Sequence, residues 1–148
     1  MKILFAVPLL LALACGGSSD AKPTAIELSK LGLKMDAPAG STASDGMMGG
    51  VMVTGPNLVV TVDEATDARP KVAEDAAKEA DMYNPEEGKT EKLADGFAYT
   101  FVNTGGAGKN YWVQVRREIG GKSYWCETTG SSPEQQTAAL AACKSLKK

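Results

Sequence analysis

The stretch Tyr111–Thr129, YWVQVRREIGGKSYWCETT, decides the fold. Two runs rich in β-branched and aromatic residues flank Gly120-Gly121, and a glycine pair between such runs is a strong hairpin signal. A turn at those two residues fixes the register. Val113 then faces Thr128, Gln114 faces Glu127, Val115 faces Cys126, Arg116 faces Trp125 and Arg117 faces Tyr124. Side chains alternate between the faces of a strand. One face therefore carries Tyr111, Val113, Val115, Tyr124 and Cys126, which are mostly apolar. The other carries Trp112, Gln114, Arg116, Glu118, Ser123, Trp125 and Glu127.

Outward from the hairpin, glycine and proline punctuate the chain. Upstream, Phe97 to Thr104 reads as a strand with Phe97, Tyr99 and Phe101 on one face, followed by a glycine-rich loop from Asn103 to Asn110. Further back, Leu58 to Glu64 is β-branched and nearly all apolar, as in a central strand covered on both faces. Val51 to Thr54 is a short strand before a tight turn at Gly55-Pro56-Asn57, and Ile26 to Met35 reads as one strand ending before Ala37-Pro38-Ala39-Gly40. Residues 70–83 read as a helix. Pro70 suits its first position, Asp67 is a candidate cap, and Val72, Ala76, Ala80 and Tyr83 form a narrow stripe. Asn84-Pro85 ends it. Downstream, Ser132 caps a last helix with Gln135 three residues on, and Ala139, Leu140, Cys143 and Leu146 line one side.

Several strands, a helix, four more strand-like segments and a final helix make an α+β fold with a mainly antiparallel sheet and two helices. The element order across about residues 24–146 loosely resembles that of PsbP-like α/β/α domains, with a late hairpin and a C-terminal helix packed on the sheet. That resemblance implies an architecture and carries no function.

The N-terminus reads as an address. Met1-Lys2 precedes a 12-residue run without charge, Ile3 to Ala14. As a helix it would rise about 18 Å, against a hydrocarbon core of roughly 30 Å, so it is a secretory signal rather than a span. Leu11-Ala12-Leu13-Ala14-Cys15 resembles a bacterial lipoprotein signal, with Ala12 where that family prefers Leu, Val or Ile. The resemblance implies a diacylglycerol on the Cys15 sulfur, which becomes the mature N-terminus. By the sorting rule of enteric lipoproteins, Gly16 in the next position implies the outer membrane, with the domain periplasmic or surface-facing. Two or more acyl chains anchor a protein stably. The chain thus divides into a signal peptide at 1–14, lipidated Cys15 with a flexible tether at 15–23, and a single α+β domain at 24–148.

With Cys15 lipidated, two cysteines remain, Cys126 and Cys143. In an oxidising compartment an even pair implies a disulfide. It would link the C-terminal helix to the sheet and put the Cys126 face beneath that helix. The opposite face, with Trp112, Gln114, Arg116, Trp125 and Glu127, is then the candidate binding face. Arg116 across from Trp125 invites a cation–π contact. Exposed, this face is a platform for a glycan or protein partner, and Trp125→Ala would weaken capture by more than about 1 kcal/mol. Covered by the first helix or the early strands, the two indoles are semi-buried core.

Composition removes other classes. The 148 residues carry 16 basic and 18 acidic side chains, a formal charge of -2, no histidine and 43% hydrophobic residues. That balance lacks the basic footprint of a nucleic-acid binder, and without histidine the commonest general base and metal ligand are gone. Gly105-Gly106-Ala107-Gly108-Lys109 lacks the P-loop spacing and runs into a strand. Asp63, Glu64 and Asp67 do not match a calcium loop. Met47, Met48 and Met52 have no neighbouring histidine or free cysteine for soft-metal ligation. The expectation is a non-enzymatic, lipid-anchored envelope protein with a binding or accessory role, without cofactor or metal. Its alternative is a carbohydrate- or peptidoglycan-contacting module built on Trp112, Arg116 and Trp125.

Overall fold

The computed structural model of the protein describes residues 22–46 and 49–148. The signal at 1–14, Cys15, the tether through residue 21 and Met47-Met48 lie outside the described residues. The described chain runs β1 (Thr24–Leu28), β2 (Leu33–Ala37), β3 (Thr42–Asp45), β4 (Val51–Gly55), β5 (Leu58–Glu64), α1 (Ala73–Ala80), a 3₁₀ turn (Asp81–Tyr83), β6 (Glu86–Leu93), β7 (Gly96–Gly105), β8 (Gly108–Ile119), β9 (Lys122–Gly130) and α2 (Pro133–Lys144). Strands β1 and β2 form a two-stranded sheet, and Lys34 of β2 also bridges Lys147 beyond α2. The other seven form an antiparallel sheet in the order β3-β4-β5-β9-β8-β7-β6. After β5 the chain crosses through α1 to the far edge, then returns strand by strand until β9 pairs with β5.

The late hairpin forms in the expected register: Arg116 pairs with Trp125, Val115 with Cys126 and Gln114 with Glu127. Gly120 and Gly121 have φ of +60° and +80°, the left-handed conformation that such a tight turn requires. A second close approach sits at Gly96, where a Cβ would lie 2.0 Å from the Arg116 carbonyl oxygen.

Each face of the sheet has its own core. Val51, Val53, Val60, Val62, Val113, Val115, Tyr124 and Cys126 pack against α2 and the β1–β2 hairpin. Cys126 and Cys143 form the disulfide that joins β9 to α2, with Cα atoms 5.6 Å apart. On the opposite face Phe97, Tyr99, Phe101 and Trp125 pack against Ala76 and Ala80 of α1. The small alanines let α1 lie close on the aromatic strand.

Several local expectations are corrected. Ile26 to Met35 is two strands, because the chain reverses through residues 29–32 with Gly32 at φ +62°. Strand β5 is covered on one face only: Leu58, Val60 and Val62 are buried while Val59 is 51% exposed. The first helix starts at Ala73, beyond Pro70, and has no side-chain cap; Asp67 instead pairs with Lys71 at 2.9 Å. The presumed glycine loop is tighter than expected, since β7 and β8 run up to a Gly105–Gly108 pairing. Helix α2 begins as expected, with the Ser132 hydroxyl accepting from the Gln135 N–H, but ends at Lys144.

Candidate functional site

Helix α1 covers only part of its face of the sheet. It lies over β6 and β7, and a groove is left over β8, β9, β5 and β4. One wall is the end of α1 and the 3₁₀ turn, which supply Glu79, Met82 and Tyr83. The other side is crossed by Arg69, from the loop between β5 and α1. Two connected hollows of about 450 Å³ each share Thr61, Arg69 and Glu127.

Strand register builds the floor. Gln114, Glu127, Thr61 and Met52 are successive cross-strand partners on β8, β9, β5 and β4. With strands about 4.8 Å apart, this row is roughly 14 Å long. Trp112, one pleat away, pairs with Thr129 and Phe101. Its indole stacks on Phe101 at 5.3 Å and 7°, lies 4.8 Å from the Tyr83 ring, and donates from Nε1 to Asn103 Oδ1 at 2.7 Å. Tyr83 is 39% and Met82 76% exposed, and Trp112 is half-buried.

The two tryptophans therefore differ. Trp125 is 0% exposed and belongs to the core beneath α1. Its Nε1 donates to Glu127 Oε2 at 2.7 Å. The cation over its ring is Arg69, 5.2 Å from the centroid, and not Arg116 as the register suggested. Arg69 donates twice to Glu127, at 2.7 and 3.1 Å, a bidentate pair that fixes both side chains. Arg116 is 8% exposed and fully engaged. It donates to Glu118 Oε1 at 3.0 Å, to Ser123 Oγ at 2.7 Å and to the Pro70 carbonyl at 3.2 Å, which ties down the loop before α1.

Gln114 is different again. Its Oε1 is buried in the groove floor and has no hydrogen-bond partner. A buried acceptor left unmet costs about 1–3 kcal/mol. Sequence reading missed Arg69, Tyr83, Met82 and Thr61, which come to the site from other elements. Only Tyr83 gave a signal, as the end of the α1 stripe.

The other candidates fall elsewhere. Glu64 pairs with Lys122 at 3.0 Å, and that bond holds the lysine above its ordinary range. The Lys71 bond holds Asp67 below the ordinary carboxylate range. Asp63 lines the second hollow, beside half-exposed Met52. Among the described residues no three acidic or cysteine side chains converge as metal ligands, and no helix is long and apolar enough to cross a membrane. Lys109 lies in β8, and no helix follows the glycine turn. No family model matches the chain, and no curated protein matches it.

Proposed function

We propose that this chain is a non-enzymatic binding domain held at the cell envelope by acyl chains on Cys15, and that the groove flanked by Tyr83 and Arg69 is its working surface. The lipobox-like run before Cys15 supports the anchor, and its next residue, Gly16, supports the outer membrane. The observation that carries the binding reading is the unpartnered Gln114 Oε1, set in a half-open groove walled by Trp112 and Tyr83. An unmet acceptor beside exposed aromatic surface supports a reading in which a partner's donor satisfies Gln114 after its side chain turns into the groove. Arg69 and Trp125 both donate to Glu127, which supports a positioning role for it over that of a general base.

A photo-crosslinking residue at Thr129 tests this reading, with Ala141 on the opposite, α2-bearing face as control. Both positions are exposed. In envelope preparations, adducts are expected from position 129 and not from 141. Equal adducts at both, or none, would remove the groove as the working surface.

A further inference from the structure

We infer that the groove takes an uncharged linear oligosaccharide, laid along the row from Trp112 towards Met52; this rests on the groove being the working surface. Shape points first to a linear ligand. The floor is a row about 14 Å long rather than a round pit, and the two hollows of about 450 Å³ join across Thr61 and Glu127. Each lies within the roughly 300–1,000 Å³ range of small-molecule sites.

Chemistry points next to sugar. A pyranose ring is amphipathic, with C–H faces that lie on aromatic rings and a rim of hydroxyls. The groove has the matching division: Trp112, Tyr83 and Met82 on the wall, and Gln114, Thr61 and Thr129 as neutral hydrogen-bonding groups. A hydroxyl donates and accepts at once, so it can bond the threonines of the groove and, once the Gln114 side chain turns towards it, the amide oxygen that is buried in the free protein.

Charge selects among glycans. Arg69, the cation of the groove, is neutralised by its bidentate bond to Glu127. Glu79 at one end and Asp63 at the other have no ion-pair partner among the described residues. The groove is therefore net acidic and repels phosphate-, sulfate- or carboxylate-bearing polymers. A peptide fits less well. A peptide that binds by strand addition needs a free sheet edge, and β8, β9 and β5 beneath the groove are paired on both sides.

The test titrates the folded domain with chitohexaose, cellohexaose and maltohexaose, with heparin as the polyanionic control. The indole N–H and glutamine side-chain signals are followed by NMR. At least one neutral hexasaccharide should move the Trp112 and Gln114 signals, and heparin should move neither. Trp112→Ala and Gln114→Leu should each weaken that binding about tenfold or more. Near-UV circular dichroism of Gln114→Leu should stay native, which separates lost contact from lost fold. Binding by none of the three sugars, unchanged affinity in both variants, or equal binding of heparin would overturn the inference. Adducts at position 129 to protein alone, with no sugar bound, would remove the glycan and leave the groove reading standing. Absence of both would remove both.

Discussion

At the scale of single residues, the two tryptophans of one hairpin face have separate duties. Trp125 is enclosed by Phe97, Arg69 and Glu127. Its truncation opens a cavity and removes both the ring beneath Arg69 and the N–H bonded to Glu127, so Trp125→Ala should cost about 3–5 kcal/mol in urea unfolding. That replaces the selective loss of capture expected from the sequence. A native-like midpoint in that variant would contradict its placement in the core. Gln114 should behave in the opposite way. Leucine has a similar volume and removes the unmet oxygen, so Gln114→Leu should gain about 1 kcal/mol. The groove thus predicts a stability gain and a binding loss from one substitution. A destabilised Gln114→Leu would mean that the oxygen is satisfied in solution.

Among the elements, α2 is held to the sheet by a disulfide and by a hydrogen bond at its C-terminal end. The disulfide closes a loop of sequence separation 17, worth about 3 kcal/mol in the chain-entropy model. Arg117 donates to both oxygens of Asp95 in the β6–β7 turn and also to the Lys144 carbonyl at the end of α2. Cys126→Ala/Cys143→Ala should lose roughly 2–5 kcal/mol, and two thiols open to alkylation in the native oxidised protein would refute the pairing. The Arg117 hydrogen bonds hold the Asp95 carboxyl below its ordinary value of 3.8, against the opposing effect of burial. A depressed carboxylate contributes stability above that value and loses it as pH falls through the folded pKa. Urea midpoints of the native protein should therefore fall below about pH 4, modestly given the partial exposure of Asp95. Asp95→Asn should show a flatter acid limb, and an identical limb would deny the coupling.

The elements also show what could be read in advance. The β8–β9 hairpin was legible because Gly120-Gly121 and strict alternation leave one register. The start of α2 was legible through Ser132. Strand β6 was not, because it is an edge strand with Glu86 to Glu91 all exposed, so no buried face imprints a period on its sequence. Strand β3, Thr42–Asp45, is silent for the same reason. The chain reversal at residues 29–32 hid inside a loose alternation that continues through it. Of the site, the wall residue Trp112 and the floor residues Gln114 and Glu127 followed from register alone. Arg69 and Met82 could not, since their arrival depends on how a loop and a 3₁₀ turn fold over the sheet. The exposure of the Trp face had no single answer in sequence: α1 is short, so it buries Trp125 and leaves Trp112 at the margin.

For the whole molecule, the three layers separate the anchor from the groove. The chain enters the described domain at β1, in the layer that holds α2, and the groove opens on the other face of the sheet. If Cys15 is the lipidated terminus, intact mass of membrane-purified protein should start at Cys15 and include acyl chains, and Cys15→Ser should release the chain to the soluble fraction. Recovery of an unmodified soluble protein would end the anchor proposal. The layering adds a second prediction: with the anchor joined to the β1 face, the groove is expected to open away from the bilayer. Trp125 is enclosed, so quenching of indole fluorescence reports mainly on half-buried Trp112. In lipidated protein reconstituted into vesicles, aqueous acrylamide should quench it as well as in the soluble Cys15→Ser form, while brominated acyl chains should leave it unchanged. Strong quenching by brominated lipid would put the groove on the membrane. It would then be a lipid contact, and its acidic ends, Glu79 and Asp63, would be set against the negative surface that anionic lipids create. That conflict of charge is the physical reason to expect the groove to face away from the bilayer.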